Sequence, residues 1–180
     1  MEKRTFQTLG DSVSLLGYGC MRFPTTPDGK IDRELSLKMI DYAYQNGVNY
    51  YDTAYMYHEG ESEPFMGEAL SRYPRDSYYV ATKFPIWMEM DFSTEKSISD
   101  IFEEQLAHLG GEYIDFYLIH GLNEKMLDKM LKRHVLDVIE KKRAEGKIRH
   151  LGFSFHDKPE ILEQCVACHK WDFVQIQLNY

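Results

Sequence analysis

"GYGCMRFP", residues 17–24, closes the first apolar run of the chain, and its reading decides the fold. A phosphate-cradling loop in a doubly wound sheet would read GxGxxG directly after its first strand. Gly17 and Gly19 fit, but Arg22 holds the third glycine position and Pro24 follows. The fingerprint is poor, so the alternation around it is assigned to the other parallel architecture, an α/β fold of the (β/α)8 TIM-barrel type. That alternation is clear. Short β-rich runs occur at 13–19, 48–52, 78–83, 113–120, 148–154 and 172–178, with helix signals between them. Strands alternating with helices imply right-handed βαβ units and a parallel sheet.

Working outward, "DRELSLKMIDYAYQNG" offers Asp32 as an N-cap and Gly47 as a stop. "STEKSISDIFEEQLAHLGG" offers Ser93 as an N-cap, with Glu95 in the first turn where the helix dipole favours a carboxylate. It ends at Gly110 and Gly111. "KRHVLDVIEKKRAEG" has the apolar periodicity of one helix stopping at Gly146. At the start, "TFQTLGDSVSLL" predicts a small β-hairpin turning at Gly10-Asp11 and leading into the first barrel strand. No low-complexity tract or linker divides the chain, so residues 1–180 are expected to form one barrel domain. About six of eight strands are counted, where a barrel takes about 250 residues. The expectation is therefore an N-terminal portion of a longer barrel, incomplete at its C-terminus. A short barrel that stays open, or that closes by oligomerisation, is the alternative.

Composition narrows the partners. The 180 residues carry a net charge of −8, with 43% hydrophobic and 28% charged residues, ordinary for a soluble globular protein. An acidic balance argues against nucleic acid and anionic membranes as partners. No apolar run nears the ~18 residues of a membrane span. "MEKRTFQTLG" lacks the apolar middle of a secretion signal. A cytoplasmic location is expected. Three cysteines do not suggest a disulfide framework. "CVACH" (165–169) fits the spacing of haem attachment or a redox dithiol. Yet Ile161, Leu162, Cys165, Val166 and Cys168 recur at helical spacing, which favours a core helix whose small cysteines pack as hydrophobes.

The chemistry collects around "YDTAYMYHEG", residues 51–60. In a parallel barrel the functional groups come from the C-terminal ends of the strands. Those ends supply Asp52, Lys83, His120, Ser154 and Gln175. Each alone is more often a satisfied core group than a catalytic one. Five successive units contributing to one rim are hard to assign to packing. Carbonyl reduction needs a hydride on carbon and a proton on oxygen. A free phenol, with a pKa of about 10, is a poor acid near neutrality. A neighbouring ammonium stabilises the phenolate, and a carboxylate keeps that ammonium charged and placed. Asp52, Tyr57 and Lys83 supply that set, and His120 can polarise the carbonyl oxygen. Since no side chain delivers hydride, a nicotinamide cofactor is implied.

With those residues in view, the chain resembles the aldo-keto reductases, in "YYDTAYMYHEGESEPFMGEAL", "YVATKF", "YIDFYLIHG" and "IRHLGFS", from residue 5 to 180. The resemblance implies a barrel with an N-terminal hairpin, and NADP(H) in preference to NAD(H) at the C-terminal rim. The substrate would be a small aldehyde or ketone. It implies a catalytic group of Asp52, Tyr57, Lys83 and His120. Tyr55 is the rival acid, but the family's acid falls on the second Tyr of "DTAYMY". Gly19, Cys20 and Met21 match the loop beside the cofactor, which Asp52 also borders. Ser154 and Gln175 match positions that hold the nicotinamide carboxamide. Trp87 falls where the family often has an aromatic substrate-pocket wall, with simple packing as its other reading. One departure is Phe155-His156 after Ser154, where the family commonly has Asn. "GYGCMR" with "GFSFHD" also resembles a branch that often carries a C-terminal ferredoxin-like 4Fe-4S segment. Those cluster cysteines would lie downstream of Tyr180, and Cys165 and Cys168 do not match them. Three rival readings remain: a metallohydrolase, a non-catalytic cofactor-binding regulatory relative, and an inactive fragment of the reductase. The first is disfavoured because His58, His120 and His156 are scattered singly, so no metal site is expected.

Overall fold

The structure is a computed structural model that describes residues 1–6, 9–89 and 92–178. Residues 7–8 of the predicted hairpin and the last two of the "QIQLNY" end lie outside the described residues. The hairpin consists of β1 (Lys3–Thr5) and β2 (Ser12–Ser14), paired antiparallel. Six parallel strands follow among the described residues: β3 (Tyr18–Gly19), β4 (Tyr50–Asp52), β5 (Tyr79–Phe84), β6 (Ile114–Leu122), β7 (Ile148–Phe155) and β8 (Phe173–Ile176). Each strand is bonded to the next one in the chain. A doubly wound sheet reverses its strand order at a switch point. Here the order never reverses, and the sheet is a curled arc of a (β/α)8 barrel.

Side chains alternate across this sheet, and the alternation builds two cores. Tyr50, Tyr79, Phe116 and Phe173 face inward, where Ala81, Phe116 and Leu118 are fully buried among them. The outward set includes Tyr51, Val80, Tyr117, Ile119, Leu151 and Phe153, packed against the helices. The hairpin closes the N-terminal end of the inner core. Phe6 lies against Phe116 at 6.1 Å between ring centroids, and Asp11 pairs with His150. Asn49 locks the hairpin from below, accepting from the Ser14 N–H at 2.7 Å and donating to the Ser12 carbonyl at 3.0 Å.

Among the described residues, six α-helices cover the arc: α1 (Arg33–Gln45), α2 (Ser62–Leu70), α3 (Glu95–His108), α4 (Glu124–Lys132), α5 (Val135–Ala144) and α6 (Pro159–Ala167). Asp32 caps α1 as predicted, accepting from the Leu35 N–H at 3.0 Å. Gly47, at φ 86°, turns the chain away after it. The cap of α3 is Thr94, one residue on from the predicted Ser93. Thr94 Oγ1 accepts from the Ser97 N–H while Ser97 Oγ reaches back, a reciprocal box that only this register allows. The run 13–19 is not one strand. Ser14 Oγ donates to the Leu16 carbonyl at 2.7 Å, and this local turn ends β2 and redirects the chain into β3. The helix expected at 132–146 is α5, which stops before Gly146 as read but starts at Val135, with Lys132 closing α4 instead. His134 sits at φ 52°, left-handed, and the axis breaks there. In α6, Cys165 is fully buried as expected of a core cysteine, whereas Val166 is 51% exposed and faces away. None of these helices is long and apolar enough to cross a membrane.

Candidate active site

The inward alternation carries its polar residues to the C-terminal rim. Asp52 ends β4, in register with Gly19 on one side and Ala81 on the other. Two residues past Ala81, on the same face, stands Lys83, in register with Leu118. Two residues past Leu118 stands His120, and Ser154 follows Gly152 in the same way before pairing with Gln175. The two-residue step is the stagger of a barrel, and it sets Asp52, Lys83, His120, Ser154 and Gln175 along one inner rim.

Lys83 is the centre of this group. It is 2% exposed, a costly position for an ammonium unless each proton is accepted. Three acceptors meet it: Asp52 Oδ1 at 2.6 Å, the Thr53 carbonyl at 2.7 Å and Tyr57 Oη at 3.4 Å. An ammonium has three donors, so its orientation is fully specified. Since Tyr57 Oη accepts from Lys83, its own proton is free to point elsewhere. Asp52 Oδ2 is buried with no hydrogen-bond partner. The Lys83 backbone is held from behind, where Gln105 Nε2 donates to its carbonyl at 3.1 Å. Gln105 also donates to Glu63 at 2.6 Å and accepts from Tyr117 Oη at 2.6 Å. Glu63 is wholly buried, and burial raises its carboxyl above the ordinary value.

The two candidate tyrosines separate. Tyr57 turns toward Lys83, whose Nζ also lies 4.9 Å from its ring centroid. Tyr55 turns outward and donates to Glu104 of α3 at 2.8 Å; burial, then that bond, pushes its hydroxyl up to about 12. The turn after Tyr57 is strained. His58 (φ 51°, ψ 47°) and Glu59 (φ 56°, ψ 30°) are both left-handed, at roughly 1–2 kcal/mol each for a non-glycine residue. His58 Nε2 accepts from the Phe23 N–H at 2.9 Å, which ties this turn to the segment after β3.

His120 faces Tyr57 edge-on at 6.0 Å and Trp87 edge-on at 6.0 Å. Its Nδ1 is buried without a hydrogen-bond partner. Burial, and then the Lys83 and His156 charges, lower it to about 4. At neutral pH His120 is therefore a neutral imidazole with one N–H to offer. Trp87 is 45% exposed at the mouth of this space. Ser154 Oγ accepts from the Gly121 N–H at 2.8 Å, which leaves its hydroxyl proton free. Its register partner Gln175 is exposed.

Of the 19–21 segment, Met21 is exposed and Cys20 is wholly buried, its thiol raised well above the ordinary value by burial. Cys20 thus meets the site through its backbone. Its N–H donates to the Asp52 carbonyl at 2.8 Å, and its carbonyl accepts from Ser62 Oγ at 3.1 Å. Ser62 also meets Thr53 Oγ1 at 2.8 Å; with the Ser62 proton committed to Cys20, Thr53 is the donor. Ser62, Glu63, Gln105 and His58 support the site in roles that the sequence alone does not assign, although His58, Ser62 and Glu63 lie within the 50–70 stretch, because those roles depend on which groups the fold brings beside them.

The chain is similar to known proteins in both sequence and fold. The Aldo/keto reductase family model matches residues 15–180. The NADH-specific methylglyoxal reductase of Escherichia coli strain K12 is 31% identical over 179 residues, covering 91% of this chain and 55% of the relative. The L-galactose dehydrogenase of Arabidopsis thaliana is 29% identical, covering 86% of this chain and 48% of the relative. Among solved structures, the holo form of an aldo-keto reductase from Bacillus halodurans superposes with a TM-score of 0.79 at 29% identity. It covers 99% of this chain and 58% of its own. The chain thus spans about half the length of the curated relatives it matches.

Proposed function

The chain belongs to the aldo/keto reductase family, and from that premise we propose that it carries the catalytic group of an oxidoreductase that reduces aldehydes or ketones to alcohols. Residues 1–180 are, on this reading, one barrel domain. The observation that carries the proposal is the Lys83 ammonium, buried and shared among Asp52, Thr53 and Tyr57. Tyr57 is the general acid. It already accepts from Lys83, so its own O–H is the donor to a carbonyl oxygen in the space it shares with His120. As that proton leaves, the phenolate left behind is stabilised by the ammonium 3.4 Å away. Asp52 keeps Lys83 charged and in place. His120, neutral, directs an N–H at the same carbonyl oxygen and withdraws charge from it. Trp87 flanks the substrate.

A nicotinamide cofactor, when bound at this rim, would supply the hydride. Gly19, Cys20, Met21, Asp52, Ser154 and Gln175 would hold it, with NADP(H) in preference to NAD(H). The donor set suits a carboxamide, because Ser154 has a free hydroxyl proton and Gln175 an exposed amide. The test follows absorbance of NADPH and NADH in parallel with a panel of small aldehydes. Aldehyde-dependent oxidation of NADPH, faster than of NADH, supports both parts of the proposal. Oxidation of NADH alone overturns the cofactor preference, and aldehyde binding without turnover of either overturns the catalytic reading.

A further inference from the structure

The turn that carries Tyr57 is held by an unusual clamp. Tyr57 is followed by two left-handed non-glycine residues, and three such residues occur among the described residues altogether: His58, Glu59 and His134. The turn is closed internally by the Glu61 N–H on the His58 carbonyl at 3.0 Å. Besides the Lys83–Tyr57 bond and the Lys30–Glu61 pair, the turn is tied to the segment after β3 through the His58 side chain. Nε2 accepts from the Phe23 N–H at 2.9 Å, so that nitrogen is unprotonated and Nδ1 carries the proton. The imidazole also packs on the Phe23 ring at 5.6 Å, and Phe23 is wedged edge-on against Phe65 at 5.0 Å. The segment from Cys20 to Phe23 is therefore pinned at both ends. Cys20 is bonded to Asp52 and Ser62, and Phe23 is bonded to His58.

We infer that His58 is a positioning residue that clamps the Tyr57 turn onto the 20–23 segment, so that proton donor and cofactor-side loop are held as one unit. The inference rests on the proposed reductase reading for its consequence in turnover, but the clamp itself is independent of it. Left-handed backbone explains neither the imidazole's orientation nor its bond, since a glycine or asparagine would make the turn with less strain. The side chain at this position is explained by what it grips.

The experiment uses the chain as it stands, with two variants that share the backbone constraint. His58→Gln places an amide oxygen at about the reach of Nε2, and His58→Leu keeps bulk but has no acceptor. Amide hydrogen exchange at Phe23 should rise about tenfold in His58→Leu, the order of one lost hydrogen bond, and return near wild type in His58→Gln. Leu118, deep in β6, should exchange unchanged in both. In turnover, His58→Leu should lower kcat about tenfold through misplacement of the acid, with His58→Gln restoring it. In wild-type chain, a 15N–15N coupling across the Phe23–His58 bond should be visible without any mutation. Absence of that coupling, or equal Phe23 exchange in the Leu and Gln variants, overturns the clamp. Raised Phe23 exchange with unchanged kcat overturns the positioning role. Tyr57→Phe separates the two layers: it should stop turnover and leave Phe23 exchange untouched. If it turns over normally, the acid assignment fails while the exchange result still decides the clamp.

Discussion

Replacing Lys83 by methionine keeps the length of the stem and removes the charge. In the structure that charge is 2% exposed and lies 2.6 Å from Asp52, whose side chain is 16% exposed. At an effective dielectric of about 20, the gross attraction at that distance is about 6 kcal/mol. Desolvation of both ions offsets much of it, so the pair adds little net stability, but breaking it leaves a carboxylate without its counter-ion. Such a break costs roughly 3–5 kcal/mol. Asp52 retains some contact with solvent, so the lower end, about 3 kcal/mol, is expected. The Thr53 carbonyl loses its donor as well. Urea unfolding of Lys83→Met, Asp52→Asn and the double variant measures this directly. Adding Asp52→Asn to Lys83→Met should recover about half of the loss, because the orphaned charge is gone. A Lys83→Met cost under about 1 kcal/mol, or a double variant no better than the single, would refute the buried-pair reasoning.

Other outcomes follow from the same geometry. His120 is neutral in the folded chain down to about pH 4, whereas an unfolded histidine takes up its proton near 6.5. Stability should therefore be lost as pH falls from about 6.5 to about 4, by up to about 3 kcal/mol, and His120→Asn should flatten that limb in pH-dependent urea titrations. Tyr55→Phe removes only an outward bond to Glu104, so reductase turnover should stay within about twofold and stability within about 1 kcal/mol. Gly67, in α2, lies where any Cβ would collide with the His108 carbonyl of α3. Gly67→Ala should lower stability by about 1–3 kcal/mol or more as those helices are forced apart, read as a lower thermal midpoint.

The barrel was legible because its signals are local and repeated. Six β-rich runs separated by helical segments, and a failed glycine fingerprint at 17–24, sufficed for a parallel sheet in chain order. The rim residues were legible for the same reason, since strand ends can be located from strands. What the sequence did not show depends on contacts between distant segments. The break between α4 and α5 rests on a left-handed His134, a conformation for which glycine is the usual sign. α2 contains Gly67, which weakens its helix signal, yet that glycine is what lets it pack closely on α3. The run 13–19 has strand composition throughout, and its division follows from one side-chain bond to Leu16. Cys20 matched a cofactor-side loop by motif, yet its thiol faces the core, because alternation across so short a strand as β3 cannot be assigned from two residues.

The central claim is that Tyr57 gives its proton to the carbonyl oxygen. Its most direct test is the rate of aldehyde-dependent NADPH oxidation in wild type and Tyr57→Phe, beside cofactor affinity measured by fluorescence. The variant loses one oxygen, so packing and the Lys83–Asp52 pair should persist. The account predicts a fall of about 10²–10⁴-fold in reduction with cofactor affinity unchanged. Turnover of Tyr57→Phe near the wild-type rate would contradict it.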